Sequence, residues 1–346
     1  MNERATHPAL DLSHTAMGEE DALRFLGDHR ITLGSRTMDP KAQIVGEFVK
    51  SVRVPGYYPP LPELRQQLRM MVTLMDEPAP PLPRVEDIRI PGPAGEIPAR
   101  IYAPSTGNAP LPTVAYFHGG GWVQGDLETH HGLCARLAQH ADALVVAVDY
   151  RLAPEHKFPA AVEDCLAAYR WLRTHGRDIG ANAARVAVAG DSAGGNLAAV
   201  VSQLAASGGI PVPTCQALVY PAVDFSLETD SHRELVDGHV IPRERIRWYA
   251  DQYLRSEADK IDPRASPLRA PALAGQPPTL IVTAGFDPLR DEGRAYGDRL
   301  RAAGVDVVYR EYPGQIHAFV SLTRAIPQGM TCTLEIAEYL RRAVRR

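Results

Sequence analysis

Residues 185–200 read RVAVAGDSAGGNLAAV, an apolar run that meets a Gly-x-Ser-x-Gly pentad and continues into an alanine-rich stretch. The run predicts a strand and the stretch after it a helix, so Gly190, Ser192 and Gly194 fall at their junction. Such a pentad is either a glycine-rich turn without chemistry or a serine held out of a sheet as a nucleophile. The strand–turn–helix setting favours the second, because a nucleophile elbow needs a tight turn whose flanking residues lack bulk. Gly190, Ala193, Gly194 and Gly195 meet that need. The helix predicted to begin near Gly195 directs its positive end toward the serine. Asp191 reads as a member of the tight turn and is assigned no chemistry.

Outward from this stretch, short apolar segments alternate with helix-length patterns. IPARIYAP (97–104), TVAYF (113–117), ALVVAV (143–148), RVAVA (185–189), TLIVTAG (279–285) and VDVVYREY (305–312) read as strands. AAVEDCLAAYRWLRTH (160–175) and GRAYGDRLRAAG (293–304) read as helices between them. This alternation predicts an α/β fold with a mostly parallel central sheet covered by helices on both faces. The Pro-rich DEPAPPLPR (76–84) separates it from an N-terminal region in which Leu64, Leu68, Met71, Val72 and Met75 recur at helical spacing. That apolar stripe carries mixed charges and suits a packing face better than a membrane anchor. Between Asp224 and Ala270 the alternation breaks into a more polar insertion.

Composition narrows the class. The chain has 346 residues, 45% hydrophobic and 23% charged, as in an ordinary water-soluble globular protein. A formal net charge of −4 supplies no basic stripe for nucleic acid. The terminal RRAVRR (341–346) fits a helix end better than a binding site. Cys134, Cys165, Cys215 and Cys332 are widely spaced and form no C-x-x-C, so free thiols in a reducing compartment are expected. No run approaches the ~20 apolar residues of a membrane span, and the N-terminus lacks a signal-peptide core, so a cytoplasmic protein without membrane insertion is expected.

A serine hydroxyl needs a base, and the base needs an orienting acid. Ligands of open parallel sheets gather at the carboxyl ends of the strands. His317 and Asp287 each follow a predicted strand at that end, which selects His317 among twelve histidines. Asp291 and Glu292 fall inside the following helix and are weaker candidates for the acid. Taken singly, Asp287 could be a helix cap and His317 a loop histidine. HGGGW (118–122) follows another strand, and its glycines let backbone N–H groups approach a substrate oxygen unobstructed. The oxyanion hole is assigned to the N–H groups of Gly119, Gly120 and Ala193, with His118 fixing the loop. No phosphate-loop pattern occurs. His130 and His131 lack metal-ligand spacing, so no metal is expected. Trp122, Phe286 and Phe319 flank the site and are candidates for a substrate pocket or for core packing.

HGGGW, DYRLAPEHKFPAAVEDC (149–165), GDSAGGN, DPLRDEG (287–293) and the late His317 resemble, in order and spacing, the hormone-sensitive-lipase-like (bacterial family IV) carboxylesterases of the α/β-hydrolase superfamily. The resemblance runs from about residue 113 to the end. It implies an α/β-hydrolase core at 86–223 and 271–346, with a helical cap built from 1–85 and from the insertion at 224–270. It also implies cleavage of short- to medium-chain carboxylic esters without a cofactor, and a homodimer through the edge strand near 305–312. Hydrolysis of amides, lactones or other acylated small molecules by the same triad stays open. So does a ligand-binding receptor on the same fold, although receptors of this kind lack the histidine found here as His317. Ala318 departs from the glycine that commonly follows that histidine.

Overall fold

The computed structural model describes residues 10–107 and 110–345. The first nine residues of the expected N-terminal segment, and Arg346 of the basic run, therefore lie outside the described residues. In chain order come α1 (Glu19–Leu26), β1 (Thr32–Leu33), β2 (Arg36–Thr37), α2 (Pro40–Val52) and α3 (Leu61–Met75). There follow β3 (Arg84–Gly92), β4 (Gly95–Ala103), β5 (Leu111–Phe117), α4 (His131–Ala141), β6 (Leu144–Val148), α5 (Ala160–His175), β7 (Ala181–Asp191) and α6 (Ala193–Ala206). The chain continues through β8 (Gln216–Val219), α7 (Asp230–Glu234), α8 (Arg243–Tyr253), β9 (Thr279–Phe286), α9 (Arg290–Ala302), β10 (Val307–Ile316) and α10 (Gln328–Ala343).

Among the described residues, eight strands form one sheet in the order β10-β9-β8-β7-β5-β6-β4-β3. β5 to β10 pair in parallel, and the β3–β4 hairpin adds antiparallel to β6. The fold is therefore an α/β-hydrolase fold, with a mostly parallel sheet flanked by helices. Its central strands read as continuous apolar runs because both faces are covered. β6, for example, is LVVAV and is buried throughout. Two core clusters lie on the two faces of the sheet. Val146, Val188 and Leu197 belong to one, and Val145, Ala187 and Cys332 to the other. All four cysteines are buried and unpaired.

Two strands escape a reading from apolar runs. β3 is RVEDIRIPG, an edge strand that is largely solvent-facing and so carries charge. β8 has only four residues, too few for a periodic signal, yet all four are buried between β7 and β9. No helix among the described residues is long and apolar enough to cross a membrane.

α2, α3 and α8 border a cavity at the carboxyl ends of the sheet strands, through residues such as Val49, Leu68 and Ile246. The insertion is not one piece, however. Beyond Leu254 it leaves the cavity and packs on α6, where Asn196 Nδ2 donates to Ala265 O at 2.7 Å. The N-terminal segment is tied to the core by a buried ion pair. Asp76, directly after α3, accepts from Arg136 Nη2 of α4 at 2.7 and 2.9 Å. The same carboxylate accepts from Thr323 Oγ1 at 2.6 Å, on the loop that follows His317.

Removing one member of a buried ion pair leaves the other charged and unpaired. Asp76→Ala is therefore expected to cost about 3–5 kcal/mol. Urea unfolding followed by circular dichroism would measure this, and a loss under about 1 kcal/mol would contradict the assignment.

Candidate active site

The elbow is built by close contact. Ser192 has φ 54° and ψ −116°, a conformation that non-glycine residues adopt only where the surroundings enforce it. Its N–H donates to Val219 O at 2.8 Å, which fastens the turn to the end of β8. A Cβ on Gly194 would lie 1.9 Å from Phe117 O, so β5 and α6 can meet only at a glycine. α6 begins at Ala193, two residues earlier than the sequence pattern indicated.

Ser192 Oγ lies 3.0 Å from His317 Nε2, and His317 Nδ1 lies 2.7 Å from Asp287 Oδ2. Asp287 is fully buried and His317 nearly so. A carboxylate only accepts, so Nδ1 carries the proton and Nε2 presents its lone pair to the serine. Asp287 also acts as a turn cap, since its other oxygen accepts from Leu289 N at 2.9 Å. The competing acids are engaged elsewhere. Asp291 bonds Ser231 N and pairs with Arg290. Glu292, its pKa raised by burial, bonds Val223 N and His232 Nε2.

The loop after β5 holds a correction. Gly119 N–H donates to Asp191 Oδ1 at 3.0 Å and is turned into the protein, so it is not a donor to a substrate oxygen. Among the described residues, no protein acceptor occupies the N–H groups of Gly120, Gly121 and Ala193. The missed residue is Asp191. Its buried carboxylate also accepts from Tyr116 Oη at 2.7 Å and lies 3.1 Å from His130 Nε2. Burial alone would push the Asp191 carboxyl upward, but the His130 charge and the His130 and Tyr116 hydrogen bonds hold it below the ordinary value. Burial opposes the charge of the His130 imidazole, but Asp191, by its charge and hydrogen bond, and Asp126 together raise it. A carboxylate closing an apolar strand was the one sequence signal for this cluster. His118 is buried, and burial lowers its pKa to about 4. Its Nδ1 donates to Gly119 O at 2.8 Å.

Among the three aromatic candidates, only Trp122 borders the cavity, and its ring is buried in the core against Tyr253, with centroids 4.5 Å apart. Phe286 and Phe319 are corrected to core residues. Both are buried in the cluster beneath the site, and Phe319 packs on Tyr220 and Tyr312. The cavity has a volume of about 360 Å³ and contains Ser192 and His317 on its wall. His131 bonds Tyr102 Oη at 3.1 Å and stays outside it. Among the described residues, no group of three or more His, Cys, Asp or Glu side chains is arranged to hold a metal ion.

The alpha/beta hydrolase fold family matches residues 114–321. A carboxylic ester hydrolase of Mycobacterium tuberculosis, LipN, is 44% identical over 328 residues, covering 92% of this chain and 87% of that protein. An ethyl acetate hydrolase of Pseudomonas putida is 39% identical and covers 69% of this chain and 77% of its own length. Among solved structures, a hyperthermophilic esterase of the archaeon Pyrobaculum calidifontis superposes with a TM-score of 0.81 at 40% identity, covering 87% of this chain and 96% of its own.

Ala318 sits at φ 66°, in the left-handed region that glycine tolerates best, and borders the cavity beside His317. Ala318→Gly is therefore expected to raise stability by about 0.5–1 kcal/mol, the strain relieved exceeding the entropy added to the unfolded chain. Chemical denaturation measures this, and a loss of stability would contradict the strain.

Proposed function

This chain belongs to the α/β-hydrolase family, and we propose that it is a serine carboxylesterase acting on short- to medium-chain esters. The observation that carries the reading is the continuous hydrogen-bonded line Asp287–His317–Ser192, which ends at the wall of the cavity. Ser192 Oγ attacks the ester carbonyl carbon while His317 Nε2 takes its proton. The negative charge on the carbonyl oxygen falls to the N–H groups of Gly120 and Ala193, with Gly121 beside them, at the positive end of α6. Asp287 holds the imidazole tautomer and stabilises the imidazolium. His317 then protonates the leaving alcohol, and water attacks the acyl-enzyme by the same route in reverse order.

The names and coverage of the relatives support an ester substrate. A cavity of about 360 Å³ suits a small acyl group. We read the described part of 1–85 and the α7–α8 portion of the insertion as a cap over the described core within 86–223 and 271–346. β10 is a terminal strand of the sheet, the geometry that pairing between two copies in a homodimer requires.

A fluorophosphonate probe tests the mechanism. It is expected to label the peptide containing Ser192 and to leave Ser192→Ala unlabelled. Folded protein that takes no label would overturn the reading. In the same preparation 4-nitrophenyl butyrate is expected to be cleaved faster than the palmitate, and the reverse order would contradict the short-chain assignment.

A further inference from the structure

Two arginines border the same cavity as Ser192. Arg53 follows the end of α2, and Arg245 lies in the first turn of α8, so they reach the site from separate regions of the chain. The wall around them is apolar, with Val49, Leu68, Met71 and Ile246 among its residues. Arg53 is anchored on one side, where it donates to Gly238 O at 3.3 Å and to His239 O at 2.9 Å. Arg245 lies over the Tyr58 ring, 4.8 Å from its centroid, and Tyr58 in turn stacks on Trp248 at 4.4 Å. Both guanidiniums are thus held in place by neutral groups.

Among the described residues, neither arginine has a carboxylate within salt-bridge distance, although the chain pairs most of its buried charges. Asp237 and Glu244 favour the Arg53 charge, but from solvent-exposed positions outside the cavity wall. Asp191 and His130, the other charged pair on the cavity wall, neutralise each other. The pKa of Arg53 is lowered by burial and then by the repulsion of Arg245, so the two cations sense one another. Arg245 stands moreover at a helix N-terminus, where the dipole favours an anion and disfavours a cation. Two cations thus border an apolar cavity whose one lining acid among the described residues, Asp191, is already paired. The missing charge is one a ligand can bring.

We infer that the substrate is an ester that also carries a carboxylate, held by Arg53 and Arg245 while its ester group lies against Ser192. This rests on the esterase reading above and adds the substrate class. Half-esters of dicarboxylic acids place the carboxylate on the acyl side, and esters of hydroxy acids place it on the alcohol side. The carboxylate takes no role in bond making. Water adds across the acyl C–O bond, giving a free acid and the alcohol.

Steady-state kinetics distinguish the cases. Mono(4-nitrophenyl) adipate is compared with its methyl ester, and 4-(butyryloxy)benzoate with methyl 4-(butyryloxy)benzoate. In one of the two pairs the free acid is expected to show about tenfold higher kcat/KM than its neutral counterpart. That ratio should fall as salt is raised and approach unity in Arg245→Gln. Equal or lower values for the acid in both pairs, with the neutral esters still cleaved, would overturn the anion site and leave the esterase reading standing. A ratio unchanged in Arg245→Gln would also overturn it. Failure to cleave any of the four esters would remove the esterase reading, and this inference with it. The comparison in the unaltered protein requires no variant to fold.

Discussion

The left-handed backbone of Ser192 is the constraint from which the rest of the site follows. At φ 54° the serine lies outside both the strand that precedes it and the helix that follows, so its hydroxyl stands clear at the carboxyl end of a central strand. Holding a non-glycine residue there costs about 1–3 kcal/mol, and the packing around it must supply that. Gly190 and Gly194 let the backbone of α6 close onto β5, and the Ser192 N–H is tied to Val219. The same closure carries Asp191 under the loop after β5, where its carboxylate collects Tyr116, His130 and the Gly119 N–H. One strained residue thus fixes both the hydroxyl and the loop opposite it.

Two of the buried carboxylate–imidazole pairs flank the elbow and are suited to different work. In the Asp287–His317 pair the acid binds Nδ1 and leaves Nε2 facing Ser192, so one nitrogen is available for proton transfer. In the Asp191–His130 pair the acid binds Nε2, and Nδ1 lies against Thr129 Oγ1 at 2.9 Å. No ring nitrogen of His130 faces the serine. The second pair is a strut for the loop. Further from the site, the Asp76–Arg136 pair is a strut of the same kind, joining α3 to the loop beyond His317.

Much of this was legible in the chain. Apolar runs marked six of the eight described main-sheet strands, and strand ends were enough to single out Asp287 and His317 as the residues brought into line with Ser192 at the carboxyl edge of the sheet. Five motifs in order pointed to the family whose profile matches residues 114–321. What escaped was of another kind. β3 is too charged and β8 too short to read as strands by periodicity. Three consecutive glycines do not reveal which N–H turns inward, and only the position of Asp191 shows that Gly119 does. Phe286 and Phe319 lie close to the catalytic candidates in sequence yet are buried in the core: Phe286 ends β9 on the face opposite Asp287, and the left-handed turn at Ala318 carries Phe319 away from His317. Arg53 and Arg245 lie far apart in the chain, and nothing in the sequence places them on one cavity.

In the proposed mechanism the hydroxyl presented by this turn forms a covalent acyl intermediate. Mixing the protein with excess 4-nitrophenyl butyrate, quenching in acid within the first turnovers and mapping the peptides by mass spectrometry tests it directly. A butyryl group on the peptide containing Ser192, absent from Ser192→Ala, is the predicted result. Ester turnover with Ser192 unmodified at every quench time, or with the acyl group on another residue, would contradict it.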